Sequence, residues 1–146
     1  IIQSAVYREG VMLRRMISVN EILGYDANAD SIIYIPVFTW DPANDRFLFR
    51  GKGSSYLLEE KIATMRGISR RQLKLIYEEL ELRAQILREM KEKNIIDYYD
   101  VFRVFAKIFN IIDEKAKAMK KKEETQYAVL EALEEALRKI RTGELR

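Results

Sequence analysis

The chain alternates before it spirals. From Ile1 to Phe49 apolar positions come in short runs separated by turn residues, and from Ser54 onward they recur at three-four spacing. "IIQSAVY" and "VMLRRMISVNEIL" read as two antiparallel strands joined at Arg8-Glu9-Gly10, where glycine tolerates positive φ. "GYDANADS" is a second turn, rich in Gly, Asp and Asn. Ser31–Phe49 forms a second hairpin, "IIYIPVFTW" returning through "DPAND" to "RFLF". Pro42 suits the turn, and Pro36 signals an edge strand or a bulge. The fold class is therefore α+β, antiparallel hairpins followed by a helical part.

The helical part opens at "SSYLLEEKIATMRG", with serine as N-cap and Gly67 as stop. Ser69 to Gln72 has the form of a capping box. Leu73, Ile76, Leu80, Ala84 and Leu87 then give a helical stripe, ending near Asn94. Asp97 caps a short apolar helix, "YYDVFRVFAKIF". Asp113 to Arg141 forms one long helix or two shorter ones, with Leu130, Leu133, Leu137 and Ile140 on one face. The divisions this implies are 1–53 (β-hairpins), 54–110 (helical subdomain) and 111–146 (helical tail).

Composition narrows the chemistry. The 146 residues contain no cysteine and no histidine. Disulfides, thiolate or imidazole metal sites and histidine bases within this chain are thereby excluded. Abundant Lys, Arg and Glu without cysteine fits a thermophile. The net charge of +3 is mild and both signs are interleaved throughout, which argues against a nucleic-acid face. No apolar run reaches the ~20 residues of a membrane-spanning helix.

No complete active site emerges. "RGKGSS" (Arg50–Ser55) invites comparison with a phosphate-binding loop. The first glycine of that motif would fall on Arg46, and the lysine precedes the second glycine, so a plain turn explains the loop. Glu59–Glu60 and Glu78–Glu79–Glu81 read as solvated helix faces. Asp26, Asp30, Asp41 and Asp45 read as turn residues bonding their own backbone. Lys115, Lys117, Lys120, Lys121 and Lys122 read as a solvated run, balanced by Glu114, Glu123 and Glu124. Phe38 and Trp40, with Phe49 and Phe47 opposite, read as cross-strand pairs. Arg8, Arg14 and Arg15 around the first hairpin are the interface candidates, weighed against surface salt bridges.

One longer resemblance stands beside these readings. Arg14-Arg15 precedes a strand ending in Glu21-Ile22, then come "GYD", "PVFTWDPANDRFLFRG", "SYLLEEK" and "RGIS", and finally Glu81–Phe109. Over roughly residues 1–110 the chain resembles the C-terminal region of archaeal type II/IV secretion ATPases. These include the GspE-like motors and the motor ATPase of the archaellum. The resemblance implies a hexameric, RecA-like ATPase that uses ATP and Mg²⁺ and works at the cytoplasmic face of the cell membrane. It would drive a multi-spanning platform protein. It also implies that the Walker A loop, acidic box, Walker B and histidine box lie upstream of Ile1, so no catalytic or cofactor residue is expected here. The opening "IIQSAV", without methionine, fits the back end of a longer polypeptide. As an isolated piece it is expected to self-associate through the strand at Ile1–Val6. A free-standing assembly module without ATPase activity and a small nucleic-acid-binding protein are the competing expectations.

Overall fold

The computed structural model describes residues 2–119 and 124–145. It contains an antiparallel sheet followed by helices, so the fold is α+β. Two compact units divide the chain, Ile1–Ile62 and Ala63–Arg146.

The first unit is a four-stranded meander: β1 (Ile2–Arg8), β2 (Val11–Asp26), β3 (Ser31–Asp41) and β4 (Arg46–Phe49), neighbours in that order. Glu9 and Gly10 join β1 to β2 with φ of 52° and 81°, the double positive φ of a tight hairpin turn. The next two turns are variations on one design. In "DANAD" Asp26 accepts from the Asn28 amide at 2.9 Å, and in "DPAND" Asp41 accepts from the Ala43 amide at 3.0 Å. Each turn ends on an aspartate with positive φ, Asp30 at 48° and Asp45 at 50°. Aspartate tolerates that region better than most residues.

Pro36 lies inside β3, a strand paired on both sides. The register moves from Val19↔Phe38 to Asn20↔Pro36, leaving Val37 as the extra residue of a bulge. Among the described side chains of this sheet Val37 is the buried apolar one. Phe38 pairs with Phe49 and Trp40 with Phe47, the first two rings 4.8 Å apart. Beyond β4 the unit holds a π-helical segment, Leu57–Ile62. Large apolar side chains on the sheet stay exposed, among them Ile22 at 67%, Tyr25, Ile32 and Tyr34.

The second unit is helical. A short turn α1 (Ala63–Arg66) ends at Gly67, whose φ of 68° suits a helix stop. Beyond a single 3₁₀ turn at Arg70–Gln72 come α2 (Lys74–Glu92), α3 (Tyr98–Ala118) and α4 (Thr125–Thr142). Helix α4 packs against both α2 and α3. Its Leu130, Leu133, Leu137 and Ile140 are all buried, as their spacing requires. Together with Ile86, Met90, Val104 and Ile108, the last three of these build the core.

Two boundaries and one helix face differ from what the pattern predicts. The Gln72 side chain reaches back to the Ser69 amide and hydroxyl, at 3.2 and 2.8 Å, yet this box opens the 3₁₀ turn and α2 proper starts at Lys74. Helix α3 continues past Phe109 to Ala118 and absorbs the start of the expected tail helix. The buried face of α2 carries Leu75, Ile76, Glu79, Ile86 and Met90, while Leu87 is exposed. The Leu73-to-Leu87 stripe was thus rotated slightly from the true one, because Glu79 interrupts the apolar pattern.

Asp97 caps α3 as its position predicts, accepting from the Tyr99 amide at 2.9 Å. Asp97→Ala is expected to lower the stability of the helical unit by about 1 kcal/mol. Asp97→Asn should recover most of it in a thermal melt; equal losses would mean the cap is not the cause.

Candidate functional site

The three candidate arginines lie on the first hairpin. Arg8 ends β1, while Arg14 and Arg15 sit in β2 opposite Ala5 and Ser4. Their roles separate. Arg15 makes a two-pronged contact with Asp45, Nε to Oδ1 at 2.7 Å and Nη2 to Oδ2 at 2.8 Å. Trp40 Nε1 donates to the same Oδ1 at 2.9 Å. Arg15, then Trp40, hold the Asp45 carboxyl well below the usual carboxylate range, and Arg15 is raised in turn by Asp45. This is geometry that only the planar guanidinium fork supplies. Asp45 is thus more than a turn residue bonding its own backbone, because it ties the β3–β4 turn to β2.

Arg8 approaches Glu9 at 3.8 Å, an exposed and loose pair. Arg14 is exposed, and among the described residues its guanidinium has neither a salt bridge nor a hydrogen bond. It lines a depression of about 560 Å³ together with Gln3, Arg15, Met16, Asp45 and Phe47. Arginine, methionine and phenylalanine side by side are the composition of an interface rather than of ordinary solvent-facing sheet.

The glycine-serine loop is a structural corner. The amides of Ser54 and Ser55 both donate to the Gly51 carbonyl, at 3.0 and 2.8 Å, and the Ser54 hydroxyl donates to Arg50 O. A Cβ on Gly51 would meet the Phe49 ring at 2.7 Å, which accounts for glycine there. These donors face inward on the turn, so the loop does not fit a nucleotide phosphate. Its buried serine has another task. Ser55 donates to Glu21 Oε1 at 2.5 Å, Leu57 N–H donates to Glu21 Oε2 at 3.2 Å, and Leu58 N–H donates to Ser55 Oγ at 3.1 Å. Glu21, 5% exposed, therefore fastens β2 to the start of the helical segment.

In the helical unit Glu79 departs from the expected solvated face. It is 5% exposed and accepts three hydrogen bonds, from Arg66 Nη1 at 2.6 Å, Gln126 Nε2 at 2.7 Å and Arg83 Nε at 2.9 Å, with Arg83 Nη2 ion-paired to it at 2.8 Å. Burial alone would raise its pKa, but the bonds from Gln126, Arg83 and Arg66 prevail and the carboxyl is lowered. The four side chains join α1, α2 and α4. Nothing in the sequence flags this cluster except the placing of Glu79 between Ile76 and Ile86 at helical spacing.

Of the lysine run, Lys115 pairs with Glu135 at 3.1 Å and Lys117 with Asp113 at 2.5 Å. Lys120, Lys121 and Lys122 lie outside the described residues. No described helix is long and apolar enough to cross a membrane.

No protein-family model matches the chain. It is 48% identical over 99 residues to the uncharacterized protein MJ0900 of Methanocaldococcus jannaschii, a match covering 68% of this chain and 18% of that protein. It is 43% identical over 82 residues to the uncharacterized protein MJ1287 of the same organism, covering 56% of this chain and 28% of that protein. The chain therefore spans well under a third of either curated relative.

Proposed function

We propose that this chain is the C-terminal part of a hexameric ATPase that drives secretion, pilus or archaellum assembly. In this reading its role is subunit packing and transfer of motion to a multi-spanning membrane platform protein at the inner face of the cell membrane. The nucleotide and its Mg²⁺ are held upstream, in parts of the polypeptide that carry the Walker and histidine-box motifs. No step of the chemistry is assigned to residues of this chain.

The observation that carries the reading is the bare sheet. Four strands with Ile22, Tyr25, Ile32 and Tyr34 exposed form a layer that needs a second layer to bury it. A larger RecA-like domain supplies one. The motif resemblance over residues 1–110 supports the same reading. Matches to only 18% and 28% of two uncharacterized archaeal relatives fit the part of it that places this chain in a longer polypeptide.

The test is the native polypeptide. An antibody raised against this region is expected to detect a band several-fold heavier than 17.2 kDa in the source organism. The purified polypeptide is expected to hydrolyse ATP only with Mg²⁺ present. A band at 17.2 kDa, or a heavier polypeptide without ATPase activity, would overturn the proposal.

A further inference from the structure

The two twin turns carry their aspartates into different company. Asp45, ending the β3–β4 turn, is met by an indole N–H and the fork of Arg15. Asp30 ends the β2–β3 turn with nearly the same backbone φ. It accepts the Tyr25 hydroxyl and has no cation among the described residues. Asp26, beside it, accepts only the Asn28 and Ala29 amides. One end of the sheet thus presents two carboxylates without a cation. The other presents Arg14, a guanidinium without an anion, at the rim of a depression lined by Met16 and Phe47 and shared with the paired Arg15 and Asp45.

These groups cannot meet within one copy. Arg14 and Asp26 are twelve residues apart along the extended strand β2, a span of roughly 40 Å. We propose that they meet between copies: the depression at Arg14 receives the Asp26–Asp30 turn of a second copy of this chain, head to tail. Opposite ends of one sheet then act as plug and socket. Such a contact joins two different surfaces, so repeating it generates a closed ring when the rotation per subunit allows. Arg15 is excluded as the contact because Asp45 already holds it. The inference rests on the homo-oligomer part of the proposed function and does not depend on ATP hydrolysis.

Charge exchange in the full-length polypeptide tests it, read by sedimentation velocity with a thermal melt of each variant. Arg14→Glu is expected to weaken self-association at least tenfold and to leave the melt unchanged. The pair Asp26→Arg with Asp30→Arg should weaken it as much, melting lower because the Asp26 turn bonds and an aspartate at positive φ are lost, yet staying folded. The triple variant restores opposite charges across the contact and is expected to recover association to within about threefold of the starting protein. Raising salt from about 0.05 M to about 0.5 M should weaken the starting protein and the triple variant alike. Undiminished assembly of Arg14→Glu, failure of the triple variant to recover while it is folded at the assay temperature, or a starting protein that stays monomeric would each overturn the inference. Assembly that depends on Arg14 in a polypeptide with no ATPase activity would support it while removing the enzymatic reading.

Discussion

Glu79→Ala is expected to lower the stability of the helical unit by about 2 to 3 kcal/mol, one of the two largest single-residue effects foreseen here. The substitution takes the shared acceptor away from Arg66, Arg83 and the buried Gln126. Breaking a buried ion pair from one side commonly costs about 3 to 5 kcal/mol. Here the two arginine side chains are 43% and 36% exposed and recover water when released, which places the loss at or below the lower end of that range. Gln126 is 5% exposed and has no such recourse. Glu79→Gln keeps the shape and one acceptor oxygen and should lose about half as much.

The same cluster gives the unit an acid sensitivity whose sign follows from linkage. The Glu79 pKa is lower in the folded chain than in the unfolded one. Its contribution is therefore complete above the ordinary carboxylate pKa of about 4.3 and is lost as pH falls through the folded value. Urea titrations at pH 7 and pH 3 should show the starting protein losing more stability on acidification than Glu79→Gln. Equal losses would mean that the carboxylate is not the group responsible.

The legible and the hidden parts of the fold divide along the range of the interactions. Hairpins, caps and stops depend on neighbours in sequence, so Gly10, Gly67, Asp97 and the two aspartate turns could be placed from residue type. The apolar face of α4 was equally plain because Leu130, Leu133, Leu137 and Ile140 keep one spacing without interruption. Glu79 was hidden because a buried carboxylate is made tolerable by Arg66, Arg83 and Gln126, and Gln126 lies 47 residues away. Treating it as solvent-facing turned the expected stripe of α2 and put Leu87 inside. Asp45 was half legible: its place in a turn was plain, its partner 30 residues back was not. The three arginines were visible as a group, yet nothing local distinguishes Arg15, held by that distant aspartate, from Arg14, which is left to look outward.

Glu21→Ala is expected to cost the sheet unit about 2 kcal/mol and to loosen the helical segment that follows it. The carboxylate is the acceptor for the hydroxyl of Ser55, a residue 1% exposed, and for the Leu57 amide. The Ser55 hydroxyl does not find water easily once Glu21 is gone, and a buried donor without a partner costs about 1 to 3 kcal/mol. The sheet has little else to offset that loss, since among its described side chains Val37 is the buried apolar one. Hydrogen exchange reads the effect where it should appear: the Leu57 and Leu58 amides are expected to lose protection more than tenfold, by the same reasoning that converts about 1.4 kcal/mol to a factor of ten. Protection at Asn28 and Ala29, held by Asp26 at the far turn, should change little. Glu21→Gln, which keeps one acceptor, should lie between. If Leu57 and Leu58 stay protected in Glu21→Ala, the strand and the helical segment are fastened by something other than this carboxylate. The end of β2 would then have to be explained without it.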